Sequence, residues 1–216
     1  MSIRVTVDLV IFTVHESSLK VLLVKRDARP FKGRMEIPGA VIQKNESLEQ
    51  AALRELREET NVNQVYLEQL YSFGDPRRHP RDRVVTVAYY ALIPADRVGS
   101  ITGNGWRPVD HLPPLAFDHR RIVNYARERL RNKLEYTTAG FQLLPRKFTL
   151  SELQAVYETI LGKKLDKRNF RKKMDLLGIL KPLKEWRRTG RKPARLYMFE
   201  GKKFEKLKDK GIFFPF

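Results

Sequence analysis

The sequence predicts an α+β chain of two units: a strand-rich unit carrying one well-delimited helix, then a helix–helix–β-hairpin unit. Three observations predict it. Apolar alternation over residues 5–14 and a β-branched, aromatic run over 84–93 flank an amphipathic stretch at 48–60. After residue 148 two helix starts follow one another, with a basic hairpin behind them. Charge is uneven: residues 146–216 hold 21 Lys+Arg against 8 Asp+Glu, whereas residues 1–145 hold 22 against 17, within a net charge of +18. Such asymmetry points to a polyanionic partner for the second unit, or else to a generally basic solvated surface.

Each element has a local cause. Val5, Val7, Leu9 and Ile11 alternate, so they share one face of a strand. Residues 19–24 form a short apolar run, and 65–73 a weaker strand. The helix over 48–60 opens on Ser47 with Gln50 three residues on, a pairing that satisfies two free N–H groups reciprocally. Asn61 can close it, because Asn tolerates the left-handed backbone of a helix end. Residues 94–114 are loop-rich, and 120–134 read as a second helix with Ile122, Val123, Ala126 and Leu130 on one side.

The second unit begins near Phe141, dividing the chain into 1–140 and 141–216. Thr149 and Glu152 form a capping pair ahead of the stripe Leu150, Leu153, Val156, Tyr157 and Ile160, which Gly162 ends. Asp166 caps the next helix, where Phe170, Met174 and Leu177 stand at i, i+4 and i+7. Residues 180–186 and 194–199 read as strands joined by the basic segment 187–193.

Composition excludes several classes. There is no cysteine, so disulfides and thiolate metal sites are ruled out and a reducing, cytoplasmic setting is expected. No apolar stretch approaches the roughly 18 residues of a membrane span. The N-terminus shows no basic-then-apolar export pattern.

The helix at 48–60 carries candidate chemistry. Glu55, Glu58 and Glu59 fall at i, i+3 and i+4 and share a face, where like charges repel. Either solvent or a cation must offset that repulsion, and oxygen ligands of this kind suit Mg²⁺ or Mn²⁺. Residues 38–62, PGAVIQKNESLEQAALRELREETNV, resemble the Nudix signature. The resemblance implies an α/β/α sandwich with a mixed sheet. It also implies divalent metal on Glu55, Glu58 and Glu59, Arg54 holding the catalytic helix in place, and Gly39 lending backbone near the metal. Glu46 falls on the signature's first glutamate. Two positions depart: the opening glycine is Ala40 and the closing one Asn61. Ala40 places a Cβ where backbone is expected to approach metal and phosphate, which leaves catalysis open.

Residues 71–93 and the stretch LAFDH at 115–119 resemble the ADP-ribose pyrophosphatase branch, and more closely the Nudix-related regulators of NAD metabolism, the NrtR-like proteins. Arg77, Arg78 and Arg81, with Arg83, can clamp a pyrophosphate, and Phe73 can stack on a base; a solvated loop is the alternative. His79 and His119 read as structural or loop residues, since no His pair has ligand spacing.

In the basic unit, Lys167, Arg168, Asn169, Arg171, Lys172 and Lys173 interleave with the apolar stripe, which leaves one helix face cationic. A recognition helix of a winged helix-turn-helix meets the major groove of duplex DNA in this way. Arg187, Arg188 and Arg191 of the hairpin would form the wing. Residues 148–174 also resemble the C-terminal domain of the NrtR-like regulators, which implies a homodimer controlled by ADP-ribose or a related nucleotide or sugar metabolite. The competing expectation is a Mg²⁺-dependent pyrophosphohydrolase with an incidental basic tail.

Overall fold

The computed structural model describes residues 3–100, 105–189 and 192–208. They fall into two compact units divided inside a helix. Residues through Arg129, apart from Pro94–Asp96, form the first, and those from Leu130 belong to the second.

A six-stranded mixed sheet builds the first unit. Its centre is β1 (Arg4–His15), parallel to β7 (Val84–Leu92) and antiparallel to β2 (Ser18–Leu22). β6 (Tyr66–Phe73) borders β7, β8 (Trp106–Pro108) borders β2, and β5 (Gly39–Val41) pairs with the start of β1. A separate ribbon joins β3 (Val24–Lys25) to β4 (Met35–Glu36). Alternation predicts one buried face for β1, yet every residue from Val7 to Val14 is buried. The physical reason is position: β1 is the central strand of a sheet covered on both faces, so its polar positions are enclosed as well. Asp8 is thereby enclosed.

The helix α1 (Leu48–Thr60) forms as its caps predict. The Ser47 side chain accepts from the Gln50 N–H, the Gln50 side chain accepts from the Ser47 N–H, and Asn61 takes φ 54°. Ala51, Ala52 and Leu56 pack against Val7, Leu9, Ile11 and Tyr89, and a buried Leu of this kind contributes about 1.5–3 kcal/mol. The loop-rich region 94–114 also contains β8, which is three residues long and too short to leave a periodic signal.

α2 (His119–Lys133) carries the division between units, and its last turn is tied forward. Arg131 Nε donates to the Ile160 carbonyl at 2.9 Å, and a Cβ on Gly140 would stand 3.0 Å from Leu134. The second unit continues with α3 (Leu150–Leu161), α4 (Lys167–Leu177), β9 (Leu180–Thr189) and β10 (Lys192–Phe199). The Thr149–Glu152 pair caps α3 reciprocally, Gly162 ends it at φ 70°, and Asp166 accepts from the Asn169 N–H at 2.8 Å. Two backbone hydrogen bonds between Phe148 and Tyr197 lay the chain ahead of α3 along β10. A further helix, α5 (Gly201–Lys208), follows the hairpin and was not expected from the sequence. Among the described residues no helix is long and apolar enough to cross a membrane.

Candidate functional site

In the first unit a cavity of about 180 Å³ opens beside β5, lined among others by Asp8, Arg26, Glu36, Arg78, His79 and Phe117. Its floor is a buried charge network. Arg78 Nη2 donates to Asp8 Oδ2 at 3.0 Å and to Asp118 Oδ1 at 2.8 Å, while its Nε reaches Asp118 Oδ2 at 3.2 Å. The Arg78 side chain is only 5% exposed. His119 completes the floor: its Nδ1 accepts from the Ile37 N–H at 3.2 Å, and its Nε2 stands 3.8 Å from Asp8. Burial pushes the imidazole below its ordinary pKa, against the pull of Asp8 and Asp118. The ring is therefore neutral, with its proton on the nitrogen facing Asp8.

The mouth is aromatic and cationic. The His79 and Phe117 rings stack at 5.2 Å, and the Arg26 guanidinium lies 4.8 Å over the Phe117 ring. Arg26 also pairs with Glu36 at 3.0 Å, yet burial outweighs that partner and holds the Glu36 carboxyl above the usual range. Of the four residues expected to meet a ligand, only Arg78 lines this cavity. Arg77 is 92% exposed on the loop, and Arg81 is exposed away from the cavity. Phe73 is buried edge-on against Tyr71 and Tyr125 with Arg121 over its ring, so its faces are occupied by protein. Asp8, Arg26 and Glu36 went unmarked in the sequence, and Phe117 stands there only within the LAFDH stretch. Asp8 leaves a signal as a single charge inside an apolar run.

The carboxylate helix stands behind β5. Arg54 grips Glu46 with two hydrogen bonds of 2.8 and 3.1 Å and reaches Glu58 at 3.6 Å, tying the loop before α1 to its middle turn. Glu46 is held below the ordinary carboxylate range by that guanidinium first. Glu55 is pushed up by burial and then by Glu59, although a backbone hydrogen bond from Gly39 opposes this; Glu59 rises through burial and then Glu58. An oxygen-only set strained by its own charge fits a hard divalent cation. Among the described residues no three such side chains are already drawn together, so an ion would have to gather them. The tight position in the turn is Gly39, where a Cβ would lie 2.5 Å from Asp8 Oδ1 and 2.9 Å from the Val7 carbonyl. Ala40 packs partly against the core cluster and also lines the cavity beside Gly39.

In the second unit Phe170 and Met174 of α4 are buried. Lys167, Arg168, Asn169, Arg171 and Lys172 are left exposed, with Lys173 half-buried. Beside them is a groove of about 470 Å³, bounded by Lys167, Arg171, Trp186, Lys192 and Arg195 together with the start of α3. Arg188 is exposed on the hairpin. Arg187 is half-buried and committed, donating to Glu152 at 2.8 Å and to the Lys147 carbonyl at 3.1 Å. It fastens the hairpin to the start of α3. Arg191 lies outside the described residues.

A mixed sheet backed by a capped carboxylate helix, followed by helix, helix and hairpin, defines a Nudix domain joined to a winged helix. A family model described as the NUDIX domain matches residues 3–126, and one described as the NrtR DNA-binding winged helix domain matches residues 140–199. The ADPR responsive transcriptional repressor NtrR of Acinetobacter baylyi is 37% identical over 202 residues, covering 90% of this chain and 81% of the relative. The structure of Shewanella oneidensis NrtR complexed with a 27mer DNA superposes with a TM-score of 0.85 at 38% identity, covering 93% of this chain and 95% of the other. The NUDIX domain of the same protein complexed with ADP ribose matches at a TM-score of 0.53 and 42% identity, over 60% of this chain and 90% of the other. The chain belongs to the NrtR family of Nudix proteins.

Proposed function

We propose that this protein is an ADP-ribose-responsive transcriptional repressor, acting in the cytoplasm as a homodimer. The observation that carries the reading is the exposed cationic face of α4 beside a basic hairpin, in a chain whose relative is known in complex with DNA. Lys167, Arg168, Asn169, Arg171 and Lys172 would meet the major groove, with Arg188 on an adjoining phosphate. The cavity above Arg78 would take one part of ADP-ribose: Asp8 and Glu36 suit sugar hydroxyls, while Arg26 and Arg4 suit phosphate. Arg78, already held by two carboxylates, positions that floor rather than binding phosphate itself. ADP-ribose would shift DNA affinity only as far as it prefers one of two arrangements of the dimer.

A gel shift on the duplex flanking the protein's own gene tests this. Binding at low salt, falling steeply as salt rises and released by ADP-ribose, is expected. A flat salt response, or retention unaffected by ADP-ribose, contradicts it.

A second reading is retained hydrolysis of ADP-ribose, favoured by the raised Glu55 and Glu59. Glu55, Glu58 and Glu59 would hold Mg²⁺ or Mn²⁺, Gly39 would lend its backbone, and Arg54 would fix the helix. The bound ion would supply charge to offset a pyrophosphate. Incubation with Mg²⁺ and ADP-ribose should then release AMP; no turnover removes this reading.

A further inference from the structure

The hairpin carries an aromatic side chain that recognition by cations leaves unused. Trp186 on β9 is 61% exposed. Antiparallel register sets it directly opposite Arg195, and sets Arg188 opposite Pro193. Opposed residues, and those two apart along a strand, share a face, so Trp186, Arg188 and Arg195 lie on one face of the hairpin. Arg195 Nε donates to the Leu183 carbonyl at 2.7 Å, which leaves its two terminal nitrogens for a phosphate. The same indole borders the groove of about 470 Å³ whose other walls include Lys167 and Arg171 of α4 and Lys192 of the hairpin.

A large apolar side chain placed in water amid cations is set for a partner that is apolar in its middle and anionic at its edges. A strand of duplex DNA presents that pattern on its outside, as a deoxyribose rim between two phosphates, while its bases lie stacked within. We infer that Trp186 packs its indole on a deoxyribose of the strand lying in this groove, with Arg188 and Arg195 meeting the phosphates on either side. The inference rests on the DNA-binding reading above. It adds an interaction of a different kind, sequence-independent and insensitive to salt, because burying an indole releases no counterions.

The chain has two tryptophans, which makes the interaction directly visible. Trp106 is the other, and its buried Nε1 has no hydrogen-bond partner among the described residues, so W106F removes no bond seen there. Titrating the full-length W106F protein with the duplex flanking its own gene should quench and blue-shift the remaining emission. The change should saturate at the affinity measured by gel shift. A random-sequence duplex of equal length should do the same. In the otherwise native chain, W186A should weaken both duplexes about tenfold and W186F by less, with the salt slope of binding unchanged. Binding without any emission change, native affinity in W186A, or weakening of the promoter duplex alone would overturn the inference while leaving DNA binding intact. Failure of the native chain to bind either duplex would remove the DNA reading and this inference with it. Should W106F not fold, the W186A affinities decide alone.

Discussion

Arg78 and Asp8, seventy residues apart in sequence, meet at 3.0 Å in the floor of the first unit's cavity, and Asp118 closes on the same guanidinium at 2.8 Å. The network is nearly dry. Removing the guanidinium leaves two enclosed carboxylates without a counter-charge, which in such settings costs about 3–5 kcal/mol. Arg78→Ala should therefore lower the urea midpoint of the first unit by a corresponding amount. Arg78→Lys should fall between, because an ammonium keeps the charge but cannot reproduce the fork. A native midpoint in the alanine variant would show that the network does not hold the floor.

What could be read from the sequence divides along range. The caps of α1, α3 and α4 depend on residues three apart, such as Ser47 with Gln50 and Thr149 with Glu152, so their chemistry is visible in a short window. The cavity is assembled from Asp8 on β1, Glu36 on β4, and Arg78 and Phe117 on loops far apart in the chain, and no window holds more than one or two of them. An arginine cluster marks a loop that reaches the cavity without marking which arginine turns inward; Arg77 faces solvent and its neighbour does not. The glycine-rich turn is hard to read for a related reason. Which of Gly39 and Ala40 must lack a Cβ depends on the register of β5 against β1, which sets Gly39 opposite Asp8.

Burial of His119 couples stability to pH. Its folded pKa lies below the ordinary value near 6.5, with burial outweighing Asp8 and Asp118, while Arg78 and Arg26 reinforce the depression. A depressed folded pKa gives stability that is complete above the unfolded value and lost as pH falls toward the folded one. Unfolding free energy should accordingly decline on acidification from about pH 7 to pH 5, by at most about 1.4 kcal/mol per unit from this group. Glu36, Glu55 and Glu59, whose pKa values are raised, act in the opposite sense, so the wild-type slope is a sum. The difference between wild type and His119→Asn isolates the histidine, and equal slopes would refute its part.

The strained carboxylates of α1 predict two opposite responses from one substitution. Without metal, Glu59→Gln relieves repulsion against Glu55 and Glu58 and should stabilise the protein by a few tenths of a kcal/mol. With Mn²⁺ present, the wild type should gain in thermal midpoint while the variant gains less, and EDTA should return each to its metal-free value. An equal Mn²⁺ shift in both proteins would place the ion elsewhere.

Neighbouring arginines on β9 should separate folding from recognition. Arg187 is spent inside the second unit, on Glu152 at 2.8 Å and on the Lys147 carbonyl, whereas Arg188 is exposed. Deleting one cation that sits on a phosphate lowers the slope of log affinity against log salt by about one. Arg188→Ala should show that decrement on promoter and random duplexes alike, with an unfolding midpoint close to wild type. Arg187→Ala should leave Glu152 Oε1 without its guanidinium and loosen the hairpin from α3. Its signature is a lower thermal midpoint and weaker DNA binding with the salt slope retained. If the two variants exchanged behaviours, the assignment of Arg187 to the scaffold and of Arg188 to the duplex would have to be reversed, because the charge of Arg187 is already paired with Glu152 and so displaces less of a phosphate's counterion atmosphere than the exposed charge of Arg188.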